Sequence, residues 1–142
     1  MKLALVSLAA AAAGLAACTD YPPPPPPGPP LPPLASGASL PTGQCFRSSE
    51  IRNHAVGDDR TLYINVRGRE YYRVAMSGAC LAGAISSDPI ILRSPPGSQI
   101  VCRPIDLDIS VSKGGFASPC IVDGIERMTP DQVAALPPRL RP

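Results

Sequence analysis

The segment from Pro22 to Pro33 constrains this chain more than any other: ten of its twelve residues are proline, interrupted only by Gly28 and Leu31. Proline fixes φ near −65° and carries no N–H, so the segment can enter neither a helix nor a sheet ladder. Its accessible form is polyproline II, rising about 3.1 Å per residue, which carries twelve residues over roughly 37 Å. Residues 34–44 are small and contain Gly and Ser, and are expected to be flexible. Residues 18–44 therefore read as a tether, residues 45–136 as the packed domain and residues 137–142 as a Pro-rich tail. A domain of about 90 residues lies at the small end of autonomous folds, which excludes large nucleotide-binding and barrel enzymes. The run also contains P-x-x-P windows of the kind polyproline-reading domains recognise, but any proline run contains them, and a spacer is the simpler reading.

Upstream, Met1 and Lys2 give a charged start, residues 3–13 an apolar stretch and Gly14 a break. The stretch is shorter than the roughly 20 residues a membrane-spanning helix needs, so residues 1–17 read as an export signal peptide. Its ending, Leu15-Ala16-Ala17-Cys18, resembles the lipobox of bacterial lipoproteins. That resemblance implies cleavage before Cys18 and acylation of its thiol, palmitate included, so that the chain meets the membrane through a lipid anchor. It further implies a periplasm-facing place in the bacterial cell envelope. Thr19, where an Asp would favour inner-membrane retention, leans towards the outer membrane.

In the domain, Leu62, Ile64 and Val66 alternate with Tyr63, Asn65 and Arg67, and Tyr72, Val74 and Met76 repeat the pattern, as half-buried strands do. A three-residue loop of Gly68, Arg69 and Glu70 would pair Val66 with Tyr72, Ile64 with Val74 and Leu62 with Met76, keeping one apolar face intact. Residues 45–52, 90–93, 99–103, 105–111 and 120–125 read as further strands, and Ser94-Pro95-Pro96-Gly97 as a turn. The expected fold is mainly β, a small antiparallel sandwich or barrel of six to seven strands. Thr129-Pro130-Asp131-Gln132 combines an N-cap, a proline at the first helical position and a capping-box Gln. A helix of about two turns follows and stops at Pro137; too short to stand alone, it should dock through Val133 and Leu136.

Setting Cys18 aside, four of the 5 cysteines remain, Cys45, Cys80, Cys102 and Cys120. An even number in an exported chain points to disulfides. Three connectivities are possible. If the first and last strands close the fold, Cys45–Cys120 encloses Cys80–Cys102; the second choice is Cys45–Cys80 with Cys102–Cys120. With no C-x-x-C and a single histidine, a zinc site is not expected. Taken together, Cys45, Asp58-Asp59-Arg60-Thr61-Leu62, Tyr71-Tyr72-Arg73-Val74, Cys80, Val101-Cys102, Asp106 and Cys120 resemble a family of small proteobacterial lipoproteins catalogued as a domain of unknown function. The resemblance implies an exported, cysteine-paired β domain and brings no activity or ligand with it.

Little in the chain points to catalysis. His54, the only imidazole, sits in the polar stretch Arg52-Asn53-His54 and reads as an exposed loop residue, and no G-x-S-x-G elbow surrounds a serine. Asp106, Asp108 and Ser110 begin like a calcium loop, but Val111 and Ala117 stand where Gly and Glu are required; they read as the wet face of a strand. Asp58 and Asp59 suit a turn through side-chain bonds to backbone. No catalytic residue, cofactor or metal is expected. The net charge of +2 is no nucleic-acid footprint. Arg67, Arg69, Tyr71 and Arg73 could share one hairpin face and meet a periplasmic protein or a cell-wall partner. The chain thus reads as a non-enzymatic binding or structural module tethered to the membrane; the alternative is an inhibitor-type or small hydrolytic module acting on cell-wall or protein substrates.

Overall fold

The structure, a computed structural model, describes residues 26, 29, 31–93 and 99–142. The signal peptide, Cys18, most of the proline run and the turn at Ser94-Pro95-Pro96-Gly97 lie outside the described residues. In chain order the strands are β1 (Phe46–Arg47), β2 (Ile51–Asp58), β3 (Thr61–Val66), β4 (Glu70–Met76), β5 (Ile90–Arg93), β6 (Ile100–Val101), β7 (Asp108–Lys113), β8 (Phe116–Cys120) and β9 (Val122–Arg127), followed by the helix α1 (Pro130–Ala135). The fold is mainly β, as the alternating patterns require. Among the described residues it has nine strands in three antiparallel sheets, β1-β6, β2-β3-β4-β9 and β5-β7-β8, more than the six or seven expected. The first expected strand is split by a 3-10 turn at Ser48–Glu50. A second such turn at Pro104–Asp106 takes Ile105 out of the strand pattern and leaves it 77% exposed. There the Asp106 carboxylate accepts from the Cys102 and Arg103 backbone N–H groups instead of facing water on a strand. Ser110, also expected on a wet face, is buried.

The β3–β4 hairpin has the expected odd loop, but the loop is Arg67-Gly68-Arg69. Val66 pairs with Glu70, Ile64 with Tyr72 and Leu62 with Val74. Each partner is thus two residues earlier than the sequence suggested, and this shift preserves the apolar face because the side-chain period is two. The loop decides it. Arg67 and Gly68 both have positive φ, 55° and 77°, and the Arg69 N–H donates to the Val66 carbonyl at 3.2 Å, as in a type I′ turn. The unfavourable backbone of Arg67 is held by its N–H on the Glu50 carbonyl and by its guanidinium between Glu50 and Glu70. The β2–β3 turn follows expectation: the Asp58 carboxylate accepts from the Arg60 N–H at 2.8 Å.

Alternate residues of β3 and β4 (Leu62, Ile64, Val66, Tyr72, Val74 and Met76) form the main core, with Ile109 and Val111 of β7 facing them. Phe46 stacks on Tyr72 with ring centroids 4.6 Å apart. The disulfides are Cys45–Cys102 and Cys80–Cys120. Both connectivities favoured from sequence are therefore corrected to the third. The reason lies in strand pairing. Phe46 pairs with Val101 across β1 and β6, which sets Cys45 opposite Cys102 with Cα atoms 4.7 Å apart. The last strand, β9, pairs with β4 and not with the first strand.

Residues 31–44, expected to be the end of the stiff proline run (31–33) and a flexible stretch (34–44), run along the domain. The Gly37 N–H donates to the Asp123 carbonyl, the Ile125 N–H to the Ala38 carbonyl and the Leu40 N–H to the Cys102 carbonyl. The first two bonds cover the outer edge of β9, the kind of edge that otherwise invites pairing with another chain. This segment is a strap on the domain.

Tryptic mapping without reduction should yield the Cys45 peptide joined to the Cys102 peptide, and Cys80 joined to Cys120. Replacing either pair by alanine should lower stability by about 4 kcal/mol in urea unfolding, given closed loops of 57 and 40 residues.

Candidate functional site

The four-stranded sheet is covered on both faces. On the face away from the main core, Ala55, Tyr63, Met128 and Leu136 are buried together, with Leu31, Tyr71, Val133 and Leu140 packed against them. The helix reaches this face as its sequence demands. The Thr129 hydroxyl accepts from the Gln132 N–H, and the Gln132 side-chain carbonyl accepts from the Thr129 N–H, so the capping box forms. Val133 and Leu136 supply the contact, as expected. The helix then stands as a ridge between two clefts. Gln132, Ala135 and Leu136 line one, of about 610 Å³. Thr129, Pro130, Val133 and Ala134 line the other, of about 650 Å³.

Arg73 belongs to the first cleft, and it is buried, not on an open hairpin face. Its Nε lies 2.7 Å from a Glu126 carboxylate oxygen; the contact is an ion pair without hydrogen-bond alignment. Its Nη1 donates to the Pro32 carbonyl at 2.7 Å. Tyr63 lies beside it, with burial pushing its hydroxyl pKa up. An ion pair removed from water in this way is costly to break, because the remaining partner loses its compensation.

The four residues expected to form one surface are therefore divided. Arg67 is tied to Glu50 and Glu70, and its guanidinium holds the Glu50 carboxyl below the usual carboxylate range. Arg73 lies under the strap. Arg69 and Tyr71 remain together, lining the second cleft with Arg127 and Arg141. Arg127 pairs with Glu70 at 3.0 Å, and Arg141 donates to the Leu136 and Ala134 carbonyls at the end of the helix. Among the described residues no carboxylate pairs with Arg69. Three arginines thus line the cleft with one carboxylate, Glu70, and with the apolar side chains of Met128 and Val133. Glu126 and Arg127 escape the sequence reading because its last strand ends at Ile125, while β9 runs on to Arg127; Arg141 escapes it because its place beside the helix is set by contacts with the Leu136 and Ala134 carbonyls. The strand's continuation into Glu126-Arg127, alternating with Ile125, was the available signal.

His54 is a half-buried residue of β2 and not an exposed loop residue. Its Nε2 lies 3.1 Å from the Asp88 carbonyl, and burial, outweighing that bond, lowers its pKa from the usual 6.5. It borders a cavity of about 180 Å³ between β2 and β5 whose other walls include Leu62, Ile64, Ile90 and Leu92. No group of three or more His, Cys, Asp or Glu side chains among the described residues could hold a metal ion.

A model described as a family of unknown function (DUF6491) matches residues 1–141. No curated protein and no solved structure matches the chain.

Two outcomes follow from these contacts. Arg73→Met should destabilise the chain by about 2–3 kcal/mol, because Glu126 is left partly buried without its cation, and Arg73→Met with Glu126→Gln should recover part of that loss in a double-mutant cycle. His54 binds its proton less readily in the folded than in the unfolded chain, so its contribution is complete above pH 6.5 and shrinks as pH falls through that value. Melting temperature should drop more for the native chain than for His54→Gln between about pH 7.5 and about pH 5.5.

Proposed function

The chain belongs to the DUF6491 family of unknown function, and from that premise we propose that it is a lipid-anchored protein of the bacterial cell envelope whose β domain is a non-enzymatic module binding an anionic polymer of that envelope. The observation that carries the binding role is the cleft beside α1. Arg69, Arg127 and Arg141 line it together with Tyr71 and one carboxylate, Glu70. Guanidinium groups present planar forks of donors that match carboxylate or phosphate oxygens. Arg69 is the strongest candidate contact because it has no anionic partner among the described residues.

The anchor rests on the leader, with its charged start, apolar stretch and Leu15-Ala16-Ala17-Cys18 ending. Two disulfides suit the oxidising compartment such a leader addresses. Thr19 after the acylated cysteine supports the outer over the inner membrane. A binding role is preferred to a hydrolytic one because the chain's single imidazole is engaged with the Asp88 backbone carbonyl and Asp58 is spent on a turn.

Mass spectrometry of the chain from membranes should find the diacylglyceryl modification on Cys18, and Cys18→Ser should move the protein to the soluble fraction. In sedimentation with isolated cell-wall sacculi, the Cys18→Ser chain should bind in a salt-sensitive manner, and adding Arg69→Glu should weaken binding about tenfold. Equal binding by the two chains would remove the cleft from this reading.

A further inference from the structure

Because proline has no N–H, a proline-rich segment offers a receptor apolar rings and carbonyl oxygens. Sites that read polyproline II accordingly pair apolar or aromatic walls with fixed donors. The outer face of the four-stranded sheet has both. Arg73 Nη1 donates to the Pro32 carbonyl while Glu126 holds the guanidinium from the side. Leu31 packs against the cluster formed by Tyr63, Leu136 and their neighbours. Gly124 meets a third requirement: a Cβ there would stand 3.0 Å from the Ala35 carbonyl and 3.1 Å from the Leu34 side chain. The strap therefore lies closer to β9 than a larger residue at 124 would allow. Beyond it, the bonds of Gly37 and Ala38 to Asp123 and Ile125 extend the sheet edge as an added strand does.

We infer that this face is a binding site for an extended proline-rich segment, and that residues 31–39 of the same chain are its ligand, bound in cis. Three features make the strap a ligand and not a fixed part of the fold. Both disulfides join cysteines at or after Cys45, so no covalent bond holds the strap to the sheet. The main core is assembled from buried residues from Leu40 onward. No residue from 31 to 39 is fully buried, whereas Leu40, next in the chain, is held in the core and donates its N–H to the Cys102 carbonyl. Combined with the lipid anchor proposed above, a docked strap leaves only the residues before it to link the domain to the membrane. Release would add residues 31–39 to that link. The site would then set the height of the domain above the membrane, although the test below does not depend on the lipid.

The test uses the full chain carrying Cys18→Ser and a synthetic peptide of residues 28–40. The site is filled in this chain, so the peptide should not bind. Leu31→Ser with Leu34→Ser weakens the ligand and leaves the sheet intact; that chain should bind the peptide saturably and at least about tenfold more tightly. Adding Arg73→Ala should abolish the gain. Hydrogen exchange gives a second readout: the Gly37 and Ile125 amides should be protected in the Cys18→Ser chain and fast in the double-serine chain, with Ile125 protected again by peptide. Fast exchange of these amides before any strap substitution overturns the inference, and so does their continued protection in the double-serine chain. Failure of the peptide to bind once those amides are fast overturns it as well. A doubled mass with the amides protected would place the strap on a second copy and overturn binding in cis.

Discussion

Burial of the four-stranded sheet on both faces is the constraint on which the rest of this structure depends. In β3, Leu62, Ile64 and Val66 face the main core, while Tyr63 and Asn65 on the opposite side are buried as well. A domain of this size has one layer of sheet with which to cover the first face, and the three-stranded sheet provides it. The second face has to be covered by whatever chain remains. Here that is the chain's proline-bearing ends: the strap from one direction, and α1 with the residues after it from the other. Covering a face that contains Arg73 and Asn65 requires partners for polar groups. Glu126 and the Pro32 carbonyl serve Arg73, and the Pro142 carbonyl lies 3.4 Å from the Asn65 amide nitrogen.

The clefts follow from the same covering. A six-residue helix is too narrow to fill a four-stranded face, so space remains on each side of it. One gap is bounded by the strap, the other by the arginines of the β3–β4 loop, β9 and the C-terminal tail. The disulfides act elsewhere. Cys45–Cys102 ties β1 to β6, and Cys80–Cys120 ties the segment after β4 to β8. They pin the short, poorly paired pieces of the fold, where backbone hydrogen bonding alone is sparse.

Elements whose signal is local were legible. The capping box at Thr129 and Gln132, the stop at Pro137 and the Asp58 turn depend on residues within four positions of one another, and they appear as read. The β3–β4 hairpin was legible in its parity but not its register, because alternation defines which side chains share a face and leaves the pairing free to slide by two. The loop backbone, with positive φ at Arg67 and Gly68, chose among those registers. Strand β8 escaped notice because Ser118 and Pro119 break any alternation; proline is tolerated there because β8 is an edge strand, bonded to β7 alone.

The candidate site was least legible. Tyr71 and Arg73 do share a side of β4, as alternation requires, but periodicity cannot say what lies over that side. The sequence by itself determined the alternating strands, the Asp58 turn and the capped helix, since each follows from the conformational limits of residues close in the chain. Which cysteines pair, which arginines stay open and where residues 31–44 rest were decided only by tertiary structure. Those outcomes depend on which distant strands become neighbours and on which buried charges find partners once they do.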